Sequence, residues 1–226
     1  MSGQPNTLNT IQYNTQKSLN RVQVPFLCDE NVQKADIIAI QEQGYARHAV
    51  ETHNPSSCKF HLIANTDLIS KICLYINKRI DTNTWNAVLI KPDICSVEIE
   101  TKTTAGETRK IVVHSVYNPS PVSMTATEGP SSLPELTQAL DRDGEHIVMG
   151  DFNLHHPYWT GPRSFSAHAM ADKLINITTA ARLDLLLPPG TITRQTHGQN
   201  TTINLIFSHE WFTDRLVNCR IREDLH

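Results

Sequence analysis

Short apolar runs, rich in β-branched residues and separated by polar clusters, restrict the fold of this chain more than any other feature of the sequence. Runs of this length and composition are typical of β-strands. Between residues 71 and 117 the predicted strands follow one another without a helical pattern between them, which favours antiparallel pairing, whereas helices are predicted between strands towards both ends. We therefore expect an α/β fold of two packed mixed β-sheets flanked by helices, a four-layer sandwich.

Nine strands and three helices are predicted from these patterns. The strands are Leu8–Tyr13, Asp36–Gln41, Lys71–Ile76, Asn86–Ile90, Cys95–Glu100, Arg109–Tyr117, His146–Met149, Thr202–Phe207 and Leu216–Ile221. The helices are Thr15–Val32, Leu133–Asp141 and Ser166–Arg182, with Ser166 as the N-cap of the third. A proline-rich stretch, Asn118–Pro134, is predicted to be a long surface loop.

The composition is that of one large domain rather than two small ones. The chain has 226 residues, of which 39% are hydrophobic and 19% charged, and no Gly- or Ser-rich linker divides it, so residues 1–226 are predicted to form a single domain. The net charge of -3 gives no support for nucleic-acid binding. An enzyme that meets phosphate through a divalent cation can nevertheless do without a basic surface, because the ion supplies the positive charge.

Cysteine usage and the lack of long apolar segments indicate a reducing, intracellular location. Five cysteines, an odd number without a C-x-x-C pair, argue against a disulfide framework and against a zinc ribbon. The first residues, MSGQPNTLNT, lack the apolar core of a signal peptide, and no apolar stretch approaches the ~18 residues of a transmembrane helix. No association with a membrane is expected.

Four predicted strands end on polar residues of a kind that is unusual at such positions. Asn14 follows the first strand, Glu42 follows the second, Tyr117 ends another, and Asp151 and Asn153 follow the His146–Met149 strand. If these strands share a sheet, their ends converge on one edge and bring the side chains together. Oxygen ligands with few carboxylates suit Mg²⁺, which keeps several waters and takes further ligands from substrate phosphate. The pattern therefore indicates metal-assisted phosphodiester hydrolysis at this edge.

The same segments resemble a known family. Gln41-Glu42, Tyr117-Asn118-Pro119 and Gly150-Asp151-Phe152-Asn153 resemble motifs of the endonuclease/exonuclease/phosphatase superfamily, which includes apurinic/apyrimidinic endonucleases, DNase I and sphingomyelinases. The runs Gly150–Trp159, Leu183–Thr193 and Thr202–Phe207 are more similar to the endonuclease domain of non-LTR (LINE-type) retrotransposons, of the kind common in fungi. The resemblance extends over nearly the whole chain, from Asn14 to Ile221.

This resemblance implies a DNase I-like fold and a role for each residue at the strand ends. Glu42 would be the principal metal ligand with Asn14 beside it, Mg²⁺ being the expected ion and Mn²⁺ an alternative. Asp151 would position or deprotonate the attacking water, and Asn153 and Tyr117 would hold the scissile phosphate. The resemblance also implies DNA as the partner, a reverse transcriptase domain in a full-length element, and action in the nucleus.

Two departures from the family pattern concern the catalytic histidine and the carboxylate that orients it. Asn204 stands where the family has Asp in a Thr-Ile-Asp-Leu pattern, and an amide cannot stabilise an imidazolium by charge. The family's Ser-Asp-His motif would follow Leu216–Ile221, a few residues beyond His226. We therefore expect a domain that is incomplete at its C-terminus, lacks the last strand, and is weakened or inactive. Neither His226 nor His209 is assigned the missing role, although His209 could in principle approach the site.

Three functions remain open at this point. The first is a DNA endonuclease that nicks a strand for target-primed reverse transcription, the second is a non-catalytic remnant that retains only the metal-binding edge, and the third, less favoured by the loop motifs, is a phosphatase or sphingomyelinase of the same fold. Structural roles also compete for three of the residues. Asn14 could cap a helix beginning near Thr15. Tyr117 could be a core tyrosine, and Asn118 is expected to shape the turn before Pro119.

Overall fold

Two β-sheets form the centre of the computed structural model, which describes residues 7–45, 52–66, 69–103, 106–120, 131–163, 167–196, 198–212, 215 and 218–222. The first sheet has four strands, β1 (Thr10–Asn14), β2 (Ile37–Gln41), β3 (Phe60–Ile63) and β4 (Ile72–Asn77), in the order β1-β2-β4-β3. The second sheet is built from β5 (Trp85–Ile90), β6 (Ile94–Lys102), β7 (Thr108–Tyr117), β8 (Glu145–Asp151), β9 (Leu183–Leu185) and β12 (Asn204–His209). Its order is β5-β6-β7-β8-β12-β9, and β10 (Arg194–Thr196) pairs with β11 (Gln199–Thr201) in a separate ribbon.

Each sheet combines parallel and antiparallel pairs. β1 runs parallel to β2, and β7 runs parallel to β8, whereas the other strand pairs of the two sheets are antiparallel. The uninterrupted middle of the chain, β4 to β7, contributes the antiparallel neighbours that its lack of helices predicts. The parallel strands β7 and β8 are joined through a helix, as a parallel pair requires.

Four helices lie outside the sheets: α1 (Val24–Cys28), α2 (Leu133–Leu140), α3 (Pro157–Thr160) and α4 (Ala169–Ala180). The apolar core has three parts. Side chains such as Ile37, Leu74, Val113 and Met149 fill the space between the sheets. A second cluster joins the other face of the larger sheet to α2 and α4, and a third joins the other face of the smaller sheet to α1. The predicted arrangement of two mixed sheets flanked by helices is therefore confirmed.

The predicted helix Thr15–Val32 is wrong in its length and in its start. The chain instead forms a π-helical turn at Leu19–Gln23, followed by the short α1 and a 3-10 turn at Val32–Lys34. Residues 15–18 do not begin a helix because Gln16 and Lys17 have positive φ, which an α-helix excludes. The backbone N–H groups of Thr15 and Lys17 bond the carbonyl oxygens of Gln41 and Glu42, at 3.0 and 2.7 Å, and so tie this turn to the end of β2.

The sequence also missed the short strands β3, β9, β10 and β11, and one predicted strand is absent where it can be checked. Residues 218–221 form no strand, and residues 216 and 217 of that prediction lie outside the described residues. Ser166, the predicted N-cap, also lies outside them, and α4 begins at Ala169 with His168 as its N-cap. The predicted loop Asn118–Pro134 ends earlier than expected, since Pro134 already belongs to the first turn of α2.

Within the described residues, none of the helices has the length and apolar character to span a membrane.

Candidate active site

The strand ends that the sequence singled out meet at one edge of the sandwich. In the larger sheet, Tyr117 is the register partner of Asp151 on one side, and Asn204 is its partner on the other. In the smaller sheet, Asn14 pairs with Gln41, the residue before Glu42. The two sheets are joined here directly, because Asn14 Nδ2 donates a hydrogen bond of 2.7 Å to Asp151 Oδ2.

Asp151 is the buried centre of this edge, with 1% of its surface exposed. Besides the bond from Asn14, its Oδ1 accepts a hydrogen bond from the backbone N–H of Asn153 at 3.3 Å. Burial, followed by the negative charge of Glu42, raises the pKa of the Asp151 carboxyl from 3.8 to about 7, against the opposing effects of the Arg194 charge and these two hydrogen bonds. A carboxylate in this position is favoured by any added positive charge.

Glu42 is held beside the site by an unusual backbone conformation. Its φ is 48°, in the left-handed region, and its carbonyl oxygen accepts bonds from the Thr15 hydroxyl at 2.8 Å and from the Lys17 N–H at 2.7 Å. The Glu42 side chain is mostly buried and lies 3.9 Å from the Lys17 ammonium. Asn153 has a similar φ of 51°. Such conformations cost of order 1 kcal/mol in a residue other than glycine and occur preferentially at functional sites.

The Asn14 side chain holds Asp151 rather than capping a helix. No helix begins at Thr15, and Asn14 Oδ1 instead accepts a hydrogen bond of 2.9 Å from the Gln16 N–H, while its amide nitrogen faces Asp151. Its predicted part in metal binding stays a prediction, and the one hydrogen bond that Oδ1 accepts leaves a lone pair for a metal ion.

Asn153 and Asn118 are linked at the end of β8. Asn153 Nδ2 donates to the carbonyl oxygen of Asn118 at 3.0 Å, and the buried Asn118 amide donates to Phe152 O at 2.9 Å. Asn118 Oδ1 also accepts bonds from Ser131 and Ser132, just before α2. Asn118 therefore shapes the turn, as expected, and fixes the loop that carries Asn153.

The Tyr117 ring is buried in the core, and Tyr117 ends β7 at the edge of the site. It is 5% exposed and belongs to the cluster between the sheets. The Lys71 ammonium lies 5.8 Å from the centroid of its ring. The core interpretation of Tyr117 is thus confirmed, and its role at the site stays a prediction, although its strand sets it beside Asp151.

Asn204 stands directly across from Asp151 at the start of β12. Its Nδ2 donates to Thr193 O, and its backbone N–H donates to the Thr193 hydroxyl, both at 3.0 Å. Its Oδ1 is buried, and in the described part of the chain it has no hydrogen-bond partner. The Asn204 side chain therefore donates to the loop before β10, and its Oδ1 remains without a donor beside the site.

His209 does not approach this edge. It ends β12 at the opposite side of the sheet, five residues from Asn204 and hence ~17 Å along the strand. There His209 Nδ1 lies 2.5 Å from Glu145 Oε2. The possibility that His209 reaches the site is thus excluded by the direction of its strand. His226 lies outside the described residues.

Two contributors to the site were not recognised from the sequence. Gln41 Nε2 crosses between the sheets to Ser115 Oγ at 3.0 Å and so fixes the residue before Glu42 against the larger sheet. Arg194, on the ribbon, is close enough for its charge to lower the pKa of Asp151. A polar residue at the end of the otherwise apolar Ile37–Gln41 strand was a signal for Gln41, whereas nothing local distinguished Arg194.

The residue types at this edge fit a hard divalent cation. Among the described residues no three His, Cys, Asp or Glu side chains form a metal-binding group, and the site offers the two carboxylates of Glu42 and Asp151. Mg²⁺ typically uses one or two carboxylates and completes its shell with water and phosphate. Burial first, and then the negative charge of Glu42, raises the pKa of Asp151, and a bound cation would oppose both effects by favouring the ionised carboxylate.

Known structures share this fold. The endonuclease domain of TRAS1, a telomere-specific non-LTR retrotransposon, is 18% identical with a TM-score of 0.68, over 97% of this chain and 93% of its own. The Xenopus laevis APE2 catalytic domain is 11% identical with a TM-score of 0.64, over 90% and 83%. An endonuclease/exonuclease/phosphatase family protein from Leptotrichia buccalis is 14% identical with a TM-score of 0.54, over 90% of this chain and 88% of its own. These likenesses confirm the DNase I-like fold.

Sequence comparison identifies the family. Among curated proteins, no sequence matches. The family described as "Endonuclease-reverse transcriptase" matches residues 111–226, which include Tyr117, Asp151, Asn153 and Asn204. Since this match covers more than half of the chain, the protein belongs to the endonuclease–reverse transcriptase family of the endonuclease/exonuclease/phosphatase type.

Proposed function

We propose that this protein is a Mg²⁺-dependent phosphodiester hydrolase of the retrotransposon DNA endonuclease type, with activity weakened by Asn204. The observation that carries the proposal is the buried Asp151, held by Asn14 and Asn153 and facing the charge of Glu42. Two like charges gathered at the ends of separate sheets are unfavourable alone and become favourable when a cation and a phosphate complete the site. In a full-length element, a reverse transcriptase domain would use the nick, and the target would be nuclear DNA.

Each residue then has a definite task. Glu42 would hold the metal, which when bound neutralises phosphate charge and polarises the reacting bond. The Asp151 carboxylate accepts a proton from water as the water oxygen attacks phosphorus and the bond to the leaving oxygen breaks. Asn153 and Tyr117 would hold the non-bridging oxygens, and Asn14 keeps the Asp151 carboxylate in place.

Nicking of supercoiled plasmid in Mg²⁺ tests the assignment of Glu42. We expect slow nicking by the native chain and a loss of about 100-fold or more in Glu42→Gln. Removal of one group that stabilises the charge of a transition state lowers the rate by about 10²–10³, and Glu42 would hold the ion that does so here. Glu210→Gln is the matched control, since Glu210 is an exposed carboxylate that pairs with Arg182 at the other side of the molecule. Equal rates for Glu42→Gln and Glu210→Gln would refute the proposal.

Asn204→Asp tests whether the amide limits the reaction. In a serine protease the reverse change costs about 10⁴ in rate. We expect Asn204→Asp to nick faster than the native chain.

The non-catalytic remnant is the second candidate, and the unsatisfied Asn204 Oδ1 favours it. It predicts no nicking by the native chain. Nicking by the native chain that depends on Glu42 would exclude the remnant.

A further inference from the structure

We propose that Lys71 binds the backbone phosphate next to the scissile one and so positions the DNA strand along the site. The inference rests on the proposed phosphodiester hydrolase function and adds a binding subsite to the residues at the strand ends. This subsite lies on the side of Tyr117 that faces away from Asp151.

The start of β4 places Lys71 one strand away from Glu42. β2 and β4 are antiparallel, and their last register pair at this edge joins Gln41 to Ile72, so Glu42 and Lys71 are the next residues of the two strands at the same edge. Across the sandwich, β4 packs against β6 and β7, whereas β2 packs against β7 and β8. Since neighbouring strands lie ~4.8 Å apart, Lys71 is displaced from the centre of the site by about one strand towards β6.

The backbone of Lys71 is fixed at the junction of the two sheets. Its N–H donates a hydrogen bond of 2.7 Å to Pro92 O, in the turn between β5 and β6, and its carbonyl oxygen accepts one of 3.4 Å from the Gln43 N–H. The same turn holds the end of β7, because the Tyr117 N–H donates to Asp93 O at 2.9 Å. Both sheets therefore set the point from which the Lys71 side chain extends.

The Lys71 ammonium is available to a ligand. Lys71 is partly exposed, and its ammonium lies 5.8 Å from the centroid of the Tyr117 ring. In the part of the chain that the structure describes, this ammonium takes part in no hydrogen bond and no close ion pair. A cation within ~6 Å of a phenol ring is attracted by the ring, which orders the side chain without using its three N–H donors.

The displacement of Lys71 from Asp151 fits the neighbouring phosphate of the strand. Each DNA strand carries one negative charge per ~3.4 Å of helix axis, so a strand with its scissile phosphate between Glu42 and Asp151 has its next phosphate at a distance comparable with one strand spacing. The ammonium lies beside the ring of Tyr117 on this path. A lysine there attracts the phosphate as a mobile point charge and tolerates different sequences.

A purely structural role beside Asp93 is the competing explanation. Burial raises the pKa of the Asp93 carboxyl to about 6, and the charge of Lys71 opposes this effect. The two side chains form no close ion pair, so Lys71 acts on Asp93 through its charge and keeps its donors for another acceptor.

The salt dependence of DNA binding tests the charge contact. We would measure the affinity for a short DNA duplex in Ca²⁺ over a series of salt concentrations, for the native chain and for Lys71→Met, which keeps an apolar stem beside the Tyr117 ring. We expect Lys71→Met to bind about 10-fold more weakly, the usual contribution of a hydrogen bond to a charged group. The slope of log affinity against log salt should decrease by about 0.9, the contribution of one phosphate contact, whereas Lys71→Arg should retain the slope.

Lys110→Met is the matched control. Lys110 belongs to the same strand as Tyr117 but lies near its other end, where it pairs with Glu98 at 3.0 Å. We expect this variant to bind the duplex as the native chain does.

A phosphate without charge locates the contact. Once the nick has been mapped on a duplex, a methylphosphonate replaces the phosphate immediately before or immediately after it. One of these two duplexes should raise KM of the native chain about 10-fold and leave kcat nearly unchanged, because a contact equally strong in the ground and transition states affects KM alone. The same duplex should cause no further loss in Lys71→Met, since the partner of that phosphate is already removed.

Asp93→Asn separates phosphate binding from a structural role. It removes the acid on which the Lys71 charge acts, so duplex binding should stay the same or become tighter. A structural pair instead predicts that Asp93→Asn and Lys71→Met weaken binding to the same extent.

The proposal is overturned if Lys71→Met has the slope and affinity of Lys110→Met, if Asp93→Asn weakens binding as Lys71→Met does, or if Lys71→Met responds to the methylphosphonate as the native chain does. Failure of the hydrolase function would look different, because nicking would then be absent or insensitive to Glu42→Gln. The measurement of the salt slope does not require cleavage, so it tests Lys71 in either case.

Discussion

Strand β8 has a carboxylate at each end, Glu145 and Asp151, and the charges around the two carboxylates differ. At one end, Glu145 lies 3.1 Å from the Arg109 guanidinium, which matches its charge, and its second oxygen lies 2.5 Å from His209 Nδ1 without a hydrogen bond along the contact. At the other end, Asp151 accepts hydrogen bonds from neutral amides, and the negative charge of Glu42 acts on its pKa more strongly than the opposing charge of Arg194. A carboxylate with protein cations around it stabilises the fold, whereas one left in excess of negative charge is prepared for a ligand.

The comparison is tested most severely by exchanging the carboxylates for amides. Asp151→Asn should lower the nicking rate by about 10²–10⁴, the usual contribution of a general base, while leaving the fold intact. Glu145→Gln should leave nicking unchanged and lower the free energy of unfolding by about 1 kcal/mol, because its ion pairs are partly exposed. Nicking assays and urea unfolding of both variants measure these effects. A similar loss of activity in Glu145→Gln would break the comparison.

The pH dependence of the free energy of unfolding should reveal the raised pKa of Asp151 in the metal-free protein. The pKa of Asp151 is raised from 3.8 to about 7, so the folded state binds more protons between these values and this group makes stability fall as pH rises. Burial lowers the pKa of His114 from 6.5 to about 3, so this imidazole makes stability rise with pH over nearly the same window. The two contributions oppose each other in the native chain.

Asp151→Asn should therefore uncover the contribution of His114. We expect its urea midpoint, without metal, to rise more steeply between about pH 4 and pH 6.5 than that of the native chain. Parallel curves for the two proteins would show that Asp151 does not carry the raised pKa.

The smallest expected effect concerns the bond between the sheets. Gln41→Leu removes the donor to Ser115 Oγ and should lower the free energy of unfolding by about 1 kcal/mol. It should also weaken Mn²⁺ binding a few-fold, since Glu42 would be held less firmly against Asp151. Gln33→Leu is the control, because its side-chain bonds to carbonyl oxygens are long, at 3.4 Å, and partly exposed. Equal effects of the two substitutions would show that this bond does not position the site.

The sequence predicted the strand ends well because their signals are local. An apolar strand followed by Glu42 or by Asp151 and Asn153 can be recognised within a few residues, and the sheets then bring these ends together. The family resemblance supplied the roles, and the fold places the residues beside one another. The long strands, α2 and α4 were also predicted correctly because their apolar patterns lie within the elements themselves.

The failures concern residues whose partners are distant in the chain. The helix predicted from Thr15 is prevented by the positive φ of Gln16 and Lys17, in a turn that bonds the end of β2, and helical spacing cannot reveal this. Arg194 reaches the site through Thr193 and Asn204, and no pattern within its own segment indicates this. The approach of His209 seemed possible from its distance in sequence alone, and only the direction of β12 excludes it.

The left-handed backbone at Glu42 has a consequence for any attempt to make this protein more robust. Glycine is the residue that adopts such a conformation without steric cost, so a redesign guided by stability alone would favour Glu42→Gly. The residue that would stabilise this turn best is thus not the one proposed to hold the metal, and optimisation of stability alone would remove the proposed ligand first. Engineering should begin with the opposite end of the molecule, where better ion pairing and better stability point in the same direction.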